Sequence, residues 1–344
     1  MHYLFQLSGE SLDLAQQELE ALFYPRKFII KKRFNNFLLV KANVSEDFVK
    51  KISERSAFLH LASLVIKELK SLMLVELDKV NWSFVKAPFC VRVIDLTNLA
   101  APRLEARLAG PIYHHLIHER GKTPSALVSL ENPKTTVLFV ITDGKVYVAK
   151  LLWRASKGRF VQREPIKKPA FHPTSLKPKL ARLLVNLSRA KKNQTLLDPF
   201  CGTGSVLIEA AILGCKPIGT DIDAEMVKGS KTNLKFYKLR AKVQEGNALE
   251  LEKLFKPNSI DAIATDPPYG KSTKVGARSI NALYRGFFAT ANKVLKPKHF
   301  LSLIYPHYIK AKKFVNNRIW KTIFESSLYV HGGLTRKFLV LQKR

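Results

Sequence analysis

The run Asp266-Pro267-Pro268-Tyr269 contains residue types that together suit chemistry on an amino group. The exocyclic amine of a nucleobase is a weak nucleophile, because its lone pair is delocalised into the ring. The Asp266 carboxylate and the Pro267 carbonyl, which the next proline holds rigid, could each accept one hydrogen of that amine. Tyr269 offers a flat face on which an extruded base can stack. This pattern predicts Asp266, Pro267 and Tyr269 as catalytic residues that turn a base amine toward an electrophile.

A second loop, from Asp198 to Gly204, has the residue types of a turn that binds a nucleoside. Gly202 and Gly204 let the backbone turn sharply and approach a ligand closely. Asp221 lies 17 residues beyond Gly204, at a place where a carboxylate suits a ribose diol. A dinucleotide fingerprint requires a third glycine, which would fall at Leu207. The loop therefore favours a cofactor without phosphates whose cationic amino group is attracted by Asp198, and S-adenosylmethionine has these properties.

The cofactor site has a third candidate segment, Gly246-Asn247-Ala248, after the next strand. Its side-chain and backbone amides could contact adenine, although Asn247 is also an ordinary turn residue. The cofactor contacts expected around these loops are Asp198, Phe200, Gly202, Gly204, Asp221, Ile222, Asn247 and Ala248. We expect no metal, because methyl transfer from a sulfonium requires no Lewis acid.

Cys201 offers an alternative chemistry, since C5-methylation of pyrimidines uses a cysteine nucleophile. That cysteine should lie in the catalytic loop, where Tyr269 stands instead. We therefore interpret Cys201 as a small packing residue in the glycine turn.

From Thr195 onward, apolar runs alternate with helical periodicity. The predicted strands are Thr195–Asp198, Lys216–Asp221, Lys242–Glu245, Ile260–Thr265 and His299–Tyr305. The predicted helices between them are Ser205–Leu213, Ala224–Leu239 and Ile280–Leu295. Such alternation predicts an α/β fold with a parallel, doubly wound sheet, whose ligands bind at the carboxyl ends of the strands. Asp198, Asp221 and Asp266 all fall at those ends.

The charge balance predicts a polyanionic partner. The 344 residues include 58 Lys plus Arg and 27 Asp plus Glu, a formal net charge of +31. Residues 151–344 hold 37 of the basic and 12 of the acidic side chains. Neutralising nucleic-acid phosphates releases counterions, so such an excess favours binding to nucleic acid over a merely soluble surface.

Several sequence features indicate a cytoplasmic protein without a membrane segment. Its 3 cysteines are too few and too scattered for a disulfide framework or a zinc site. The residues after Met1 lack the basic and apolar regions of a signal peptide. The most apolar later segment, residues 60–77, is interrupted by charged side chains and cannot span a bilayer.

The first 150 residues alternate short strand-like and helix-like stretches, which predicts small α+β units. Residues 150–192 contain 13 basic side chains and a single acid, Glu164, together with several prolines. This connection is interpreted either as a stiff, solvated linker or as a strip that follows a phosphate backbone, and both can hold. The predicted boundaries are residues 1–45, 46–151, 152–172 and 173–344.

These motifs resemble a known family. Asp198-Pro-Phe-Cys-Gly-Thr-Gly with Asp266-Pro-Pro-Tyr-Gly is similar to the amino-methyltransferase branch of the Rossmann-like methyltransferases. The segments Pro169–Pro178 and Val330–Arg336 resemble the THUMP-domain tRNA guanosine N2-methyltransferases of archaea and eukaryotes, above all the archaeal branch that acts on guanosine 10. Gly332-Gly333 departs from the less flexible pair common in that family.

The resemblance implies an N-terminal ferredoxin-like unit over residues 1–45 and a THUMP domain over residues 46–151, with Leu127–Pro133 before its closing hairpin. A basic linker and a Rossmann-like methyltransferase domain would follow. THUMP domains of the family bind the acceptor end of tRNA. The resemblance also places Thr174 or Ser175 at the carboxylate end of S-adenosylmethionine.

The activity expected from motifs and resemblance together is methylation of the N2 amine of a tRNA guanosine, guanosine 10, with one methyl group or two. Another tRNA or rRNA guanosine is the alternative target, and adenine in DNA is disfavoured by the RNA-binding resemblance of the first 150 residues. A protein of a different class would be a non-catalytic RNA-binding protein on a methyltransferase fold. Loss of one of four residues would have supported that class, and all four are present: Gly202, Gly204, Asp221 and Asp266. The expected partner is tRNA, a small activator protein is a further candidate, and the chain itself is expected to be a monomer.

Overall fold

The computed structural model describes residues 1–97, 103–120, 127–270 and 279–344. Its described residues fall into two compact units. One comprises residues 1–9, 25–54 and 59–156, and the other comprises residues 10–24, 55–58 and 157–344.

Strands from the first 156 residues form one seven-stranded sheet in the order β2-β3-β1-β4-β7-β6-β5. In chain order the elements are β1 (His2–Leu7), α1 (Leu12–Phe23), β2 (Phe28–Phe34), β3 (Phe37–Ala42), α2 (Glu46–Arg55), β4 (Leu59–Leu69), α3 (Leu74–Leu77), β5 (Phe89–Asp95), α4 (Leu104–Arg120), β6 (Thr135–Thr142) and β7 (Lys145–Arg154). The pair β5–β6 is parallel, and the other pairs are antiparallel. Because β4 pairs with both β1 and β7, strands from residues 1–45 and 46–151 share one sheet. The boundary between these two ranges remains a prediction.

Helix α1 belongs to the second compact unit although it lies near the start of the chain. It packs against α5 (Pro178–Leu187). Its Glu18 carboxylate is fully buried and accepts hydrogen bonds from Ser56 Oγ at 2.6 Å, Phe58 N at 2.8 Å and Asn186 Nδ2 at 2.7 Å. Burying a carboxylate is costly unless donors surround it, so these bonds specify how α1 sits on α5.

The second unit contains a seven-stranded sheet in the order β10-β9-β8-β11-β12-β14-β13. After α5 come β8 (Thr195–Asp198), α6 (Ser205–Ile212), β9 (Lys216–Asp221), α7 (Ala224–Phe236), β10 (Lys242–Glu245), α8 (Leu251–Leu254), β11 (Ile260–Thr265), α9 (Ile280–Val294), β12 (Leu295–Pro306), β13 (Trp320–His331) and β14 (Leu334–Lys343). Strands β8 to β12 pair in parallel, whereas β14 and β13 pair antiparallel beside β12. The predicted parallel sheet is confirmed.

The apolar sequence runs explain why this sheet is buried. Strand residues such as Leu197, Ile263 and Leu301 have no solvent exposure, and α9 covers them with side chains such as Phe287. Parallel strands with helices on their faces are buried on both sides, so their sequences read as continuous apolar runs.

No helix among the described residues combines the length and the apolar character needed to cross a membrane. Within the same residues, no three His, Cys, Asp or Glu side chains come together as a set that could hold a metal ion.

Candidate active site

The carboxyl ends of β8, β9, β10 and β11 surround a cavity of about 780 Å³. This size is within the range of small-molecule sites. The structure brings twelve of the thirteen predicted site residues to its wall: Thr174, Ser175, Asp198, Phe200, Gly202, Asp221, Ile222, Asn247, Ala248, Asp266, Pro267 and Tyr269. Parallel strands present their ends at one sheet edge, which is why residues far apart in sequence meet here.

Gly204 is the predicted residue that does not line the cavity, and its contribution is conformational. Gly202 and Gly204 have φ values of +49° and +87°, a region that L side chains rarely adopt. A Cβ atom on Gly204 would lie 2.6 Å from Ser230 Oγ. The turn from β8 into α6 therefore requires glycine at this position.

Asp198 joins the ends of two strands. It is buried, and its Oδ1 accepts hydrogen bonds from Thr265 Oγ1 at 2.6 Å and from Phe200 N at 3.2 Å. Burial raises the pKa of Asp198 to about 7, and these hydrogen bonds oppose that rise. The carboxylate that the sequence assigns to a cationic ligand group is thus oriented by the chain itself.

Asp221 is oriented in the same manner. Its Oδ2 accepts from Gly202 N at 2.8 Å, and its Oδ1 accepts from Asp223 N at 3.1 Å. A carboxylate oxygen has two acceptor sites, so each oxygen can accept a further bond from a ligand hydroxyl. Burial raises the pKa of Asp221.

Asn247 acts in part as the ordinary turn residue that the sequence also allowed. Its Oδ1 accepts from Leu249 N at 2.9 Å and caps the short helical turn that begins at Ala248. A contact with adenine would therefore use the side-chain NH2 group of Asn247.

The segment before α5 is fastened to the glycine turn. Ser175 Oγ lies 2.8 Å from Thr203 Oγ1, and Thr174 Oγ1 lies 2.9 Å from His172 Nδ1. Asn233 bridges the two segments, since it accepts from Ala170 N at 2.9 Å and donates to Thr203 O at 2.9 Å. Thr174 and Ser175, which the resemblance places at the carboxylate end of S-adenosylmethionine, are therefore held at the edge of the cavity.

The end of the cavity around Asp266 differs, because three of its polar side-chain atoms are not satisfied by the described residues. Asp266 Oδ1, Tyr269 Oη and Arg336 Nε are buried and make no hydrogen bond of good geometry to the described residues, although the Tyr269 hydroxyl lies close enough to the Asp266 carboxyl to lower its pKa. Burial raises the pKa of Asp266 to about 6, and the nearby Arg336 guanidinium opposes that rise. Burial also raises the pKa of the Tyr269 phenol well above its ordinary value. Unpaired buried polar groups are costly, so this part of the cavity is suited to a polar ligand.

Sequence reasoning assigned no role to two further residues at this end. Arg336 on β14 lines the cavity, and so does Tyr308, whose Oη donates to Tyr269 O at 3.4 Å. Tyr308 is 40% exposed at the cavity wall. Arg336 ends a segment that carries the family resemblance, but as one of 58 basic side chains it was not singled out, and Tyr308 is one of 10 tyrosines without a local signal. The antiparallel hairpin that delivers Arg336 was not predicted from periodicity.

Cys201 is buried, and burial raises the pKa of its thiol well above the ordinary value. Its side chain packs 3.0 Å from the position where a Cβ atom on Gly219 would lie. A thiol that stays protonated is a poor nucleophile, so the geometry agrees with a packing role.

Comparisons with known proteins agree on a methyltransferase. Residues 165–337 match the family profile described as UPF0020, RMKL-like, methyltransferase domain. The chain is 35% identical over 270 residues to the tRNA (guanine(10)-N2)-dimethyltransferase of Methanothermobacter thermautotrophicus, a match that covers 77% of this chain and 76% of that protein. It is 31% identical over 355 residues to the enzyme of the same description from Pyrococcus abyssi, covering 99% and 100%.

Among solved structures, the chain is similar to TrmN from Thermus thermophilus, with a TM-score of 0.52, 19% identity and full coverage of both chains. At that identity, the similarity supports the fold and nothing more specific.

Proposed function

The chain belongs to the tRNA (guanine(10)-N2)-dimethyltransferase family, and we propose that it methylates the N2 amine of guanosine 10 in tRNA with S-adenosylmethionine as the methyl donor. The observation that carries this proposal is the cluster of unpaired buried polar atoms on Asp266, Tyr269 and Arg336, next to a glycine turn.

The residues around the glycine turn fit S-adenosylmethionine. Asp198 and Asp221 supply oriented carboxylates for its amino group and its ribose. Both carboxylates would repel a phosphate, because the charges have the same sign. Thr174 and Ser175 would lie at its carboxylate end, and Ile222 and Asn247 at its adenine. When bound there, this cofactor supplies an electrophilic methyl group on a sulfonium.

Asp266 and Pro267 would hold the guanine amine. The Asp266 carboxylate and the Pro267 carbonyl each accept one N–H of the amine, which favours a pyramidal nitrogen with its lone pair free. The unpaired Asp266 Oδ1 supports this role, because a bound amine would supply the missing donor. The ionised form of Asp266 is the accepting form, and it also stabilises the positive charge that develops on the nitrogen.

Arg336 and the two tyrosines would recognise the rest of the base. Guanine presents acceptors at O6 and N7, which arginine commonly contacts, and Arg336 Nε has no other partner among the described residues. Tyr269 and Tyr308 lie next to each other at the cavity wall and offer flat faces for stacking.

We place RNA binding in residues 46–151 as a THUMP domain, following a ferredoxin-like unit in residues 1–45. The chain would act in the cytoplasm and as a monomer. Whether a small activator protein assists it can be read from the activity of the purified chain alone.

The test is incubation of the purified protein with unmodified tRNA transcripts and radiolabelled S-adenosylmethionine, followed by nucleoside analysis. We expect label in N2-methylguanosine and N2,N2-dimethylguanosine, and none when guanosine 10 of the transcript is replaced by adenosine. Label in another nucleoside would overturn the base assignment. Photocrosslinking of the same transcript, with the crosslinked peptides identified by mass spectrometry, tests the assignment of residues 46–151.

A further inference from the structure

Helix α7 has an exposed basic face. Lys228, Lys231 and Lys235 follow each other at spacings of three and four residues, which puts them on one side of the helix. All three are exposed. Val227 and Leu234 of the same helix are buried in the core, so the lysines are held on the solvent side.

The basic run continues past the helix. Lys238 follows in a left-handed turn with φ +55°, and Arg240 and Lys242 lead into the edge strand β10. These three side chains are also exposed. Residues 228–242 thus contain 6 basic and no acidic side chains, and we call them the α7 basic run.

Three other lysines of this unit are paired with carboxylates. Lys253 pairs with Glu250 at 2.9 Å, Lys293 with Glu252 at 2.6 Å and Lys296 with Asp261 at 2.6 Å. In the part of the chain that the structure describes, no ion pair within 4.0 Å involves a member of the α7 basic run. Like charges at these spacings destabilise a helix, and a bound polyanion would offset that repulsion.

The α7 basic run begins at the catalytic cavity. Helix α7 directly follows Asp221, Ile222 and Asp223, and all three line the cavity together with Met226 from the first turn of the helix. A helix of 13 residues extends for about 20 Å, so the run leads from the cavity mouth along the surface.

An exposed aromatic side chain ends the helix. Phe236 is 57% exposed and meets Tyr237 edge to face, with ring centroids 5.0 Å apart. Aromatic faces among basic side chains are typical of surfaces that bind RNA with unpaired bases. An acidic protein partner is less well matched, because the cores of protein interfaces are depleted in lysine.

We propose that the α7 basic run binds the phosphate backbone of the tRNA strand that flanks the target nucleoside. The proposal rests on the proposed function in taking tRNA as the substrate. It concerns affinity and not the transfer step, so the loss is expected in KM for tRNA.

The test compares two triple variants that remove equal charge. K228A/K231A/K235A removes the helix face, and K253A/K293A/K296A removes three lysines that are paired with carboxylates. The Kd for an unmodified tRNA transcript is measured by filter binding from low to moderate salt. Each lost phosphate contact lowers the slope of log Kd against log salt by about 0.7 to 0.9, so the first variant should lose roughly 2 in slope and bind roughly 10- to 100-fold more weakly at low salt. The control variant should keep most of the slope.

Equal losses in both variants, or none in the first, would overturn the proposal. The Kd for S-adenosylmethionine reports whether the variants are folded. A second measurement uses the unaltered protein: acetylation of lysines, with and without tRNA, read by mass spectrometry. Bound tRNA should protect Lys228, Lys231 and Lys235 from acetylation but not Lys253. If those three lysines are acetylated equally with and without tRNA, the proposal is contradicted. If the wild-type chain does not methylate tRNA, the proposed function fails; if it does but neither difference appears, only the surface fails.

Discussion

The two halves of the cavity differ in how far the chain satisfies its own polar groups. Around the glycine turn, hydrogen bonds join Asp198 to Thr265, Asp221 to Gly202, and Ser175 to Thr203. Around the Asp266 loop, Asp266 Oδ1 and Tyr269 Oη are buried without a hydrogen bond of good geometry to the described residues. After their proposed roles, we call these the cofactor half and the substrate half.

The difference shows how preorganisation is divided in this site. In the cofactor half the carboxylates are held in place before any ligand arrives, which lowers the cost of ordering them on binding. In the substrate half the missing partners would be supplied by a base amine and its ring. Substitutions in the first half should therefore act on cofactor affinity, and those in the second half on turnover.

Asp266→Ala should have the largest effect. Without the carboxylate, the amine is neither oriented nor electrostatically stabilised, and the single-turnover rate of methyl transfer should fall by about 10² to 10⁴. The Kd for S-adenosylmethionine, measured by calorimetry, should change by less than about twofold, since Asp266 is in the substrate half. Asp261→Ala is the control, because it removes a carboxylate that lies in β11, the strand before Asp266, and pairs with Lys296. Retained activity in the Asp266 variant would contradict the assignment.

Asp221→Ala should raise the Kd for S-adenosylmethionine by roughly 10- to 100-fold, the equivalent of losing hydrogen bonds to a charged group. The rate at saturating cofactor should fall much less. Glu225→Ala removes an exposed carboxylate from the first turn of the following helix and should leave the Kd unchanged. An unchanged Kd in the Asp221 variant would refute its contact with the ribose.

Arg336→Met should shift the pH dependence of methyl transfer and lower kcat/KM for tRNA by about tenfold at neutral pH. Asp266 must be ionised to accept from the amine, and its pKa is about 6, so the wild-type rate should rise with pH through about 6 and then level off. Arg336 opposes the rise in that pKa, so its removal should move the acid limb to higher pH. Lys337→Met, at the next position of the strand, should leave the acid limb in place. If the acid limb of the Arg336 variant does not shift, Arg336 does not influence the pKa of Asp266.

Thr265→Val should have the smallest effect. It removes the hydrogen bond that lowers the pKa of Asp198, so that pKa should rise from its value of about 7. Because the ionised carboxylate is the form proposed to bind the cationic amino group, cofactor affinity should improve as pH rises through about 7 in the wild type and at higher pH in the variant. A loss of a few-fold near pH 7 that narrows under alkaline conditions is expected from titrations at several pH values. A loss independent of pH would assign Thr265 a purely packing role.

The sequence predicted the parallel sheet and twelve residues of the cavity wall because both depend on local signals. Strands β8, β9, β10 and β11 were predicted to the residue, since apolar runs are punctuated there by glycine, aspartate and asparagine. Helix ends were less accurate. The helix after Asp223 ends at Phe236 and not at Leu239, where Lys238 adopts a left-handed conformation.

What sequence reasoning missed depends on contacts between distant segments. Arg336 reaches the substrate half only because β14 pairs antiparallel with β12, a register that no local pattern reveals. Strand β4 was read as an interrupted apolar segment, although its residues pair with two neighbours in the first sheet. Helix α1 is tied to the second unit through Glu18, whose donors come from two other parts of the chain, residues 56–58 and Asn186.

The place of α1 has a consequence for the order in which this protein can be assembled. The ribosome makes α1 long before α5, so Glu18 emerges without the Asn186 amide that it later meets. The second unit can close only after the first seven-stranded sheet has been synthesised in full. A fragment that begins at residue 157 would expose to water the side of α5 that packs against α1. The second unit is therefore not encoded by a contiguous piece of the gene.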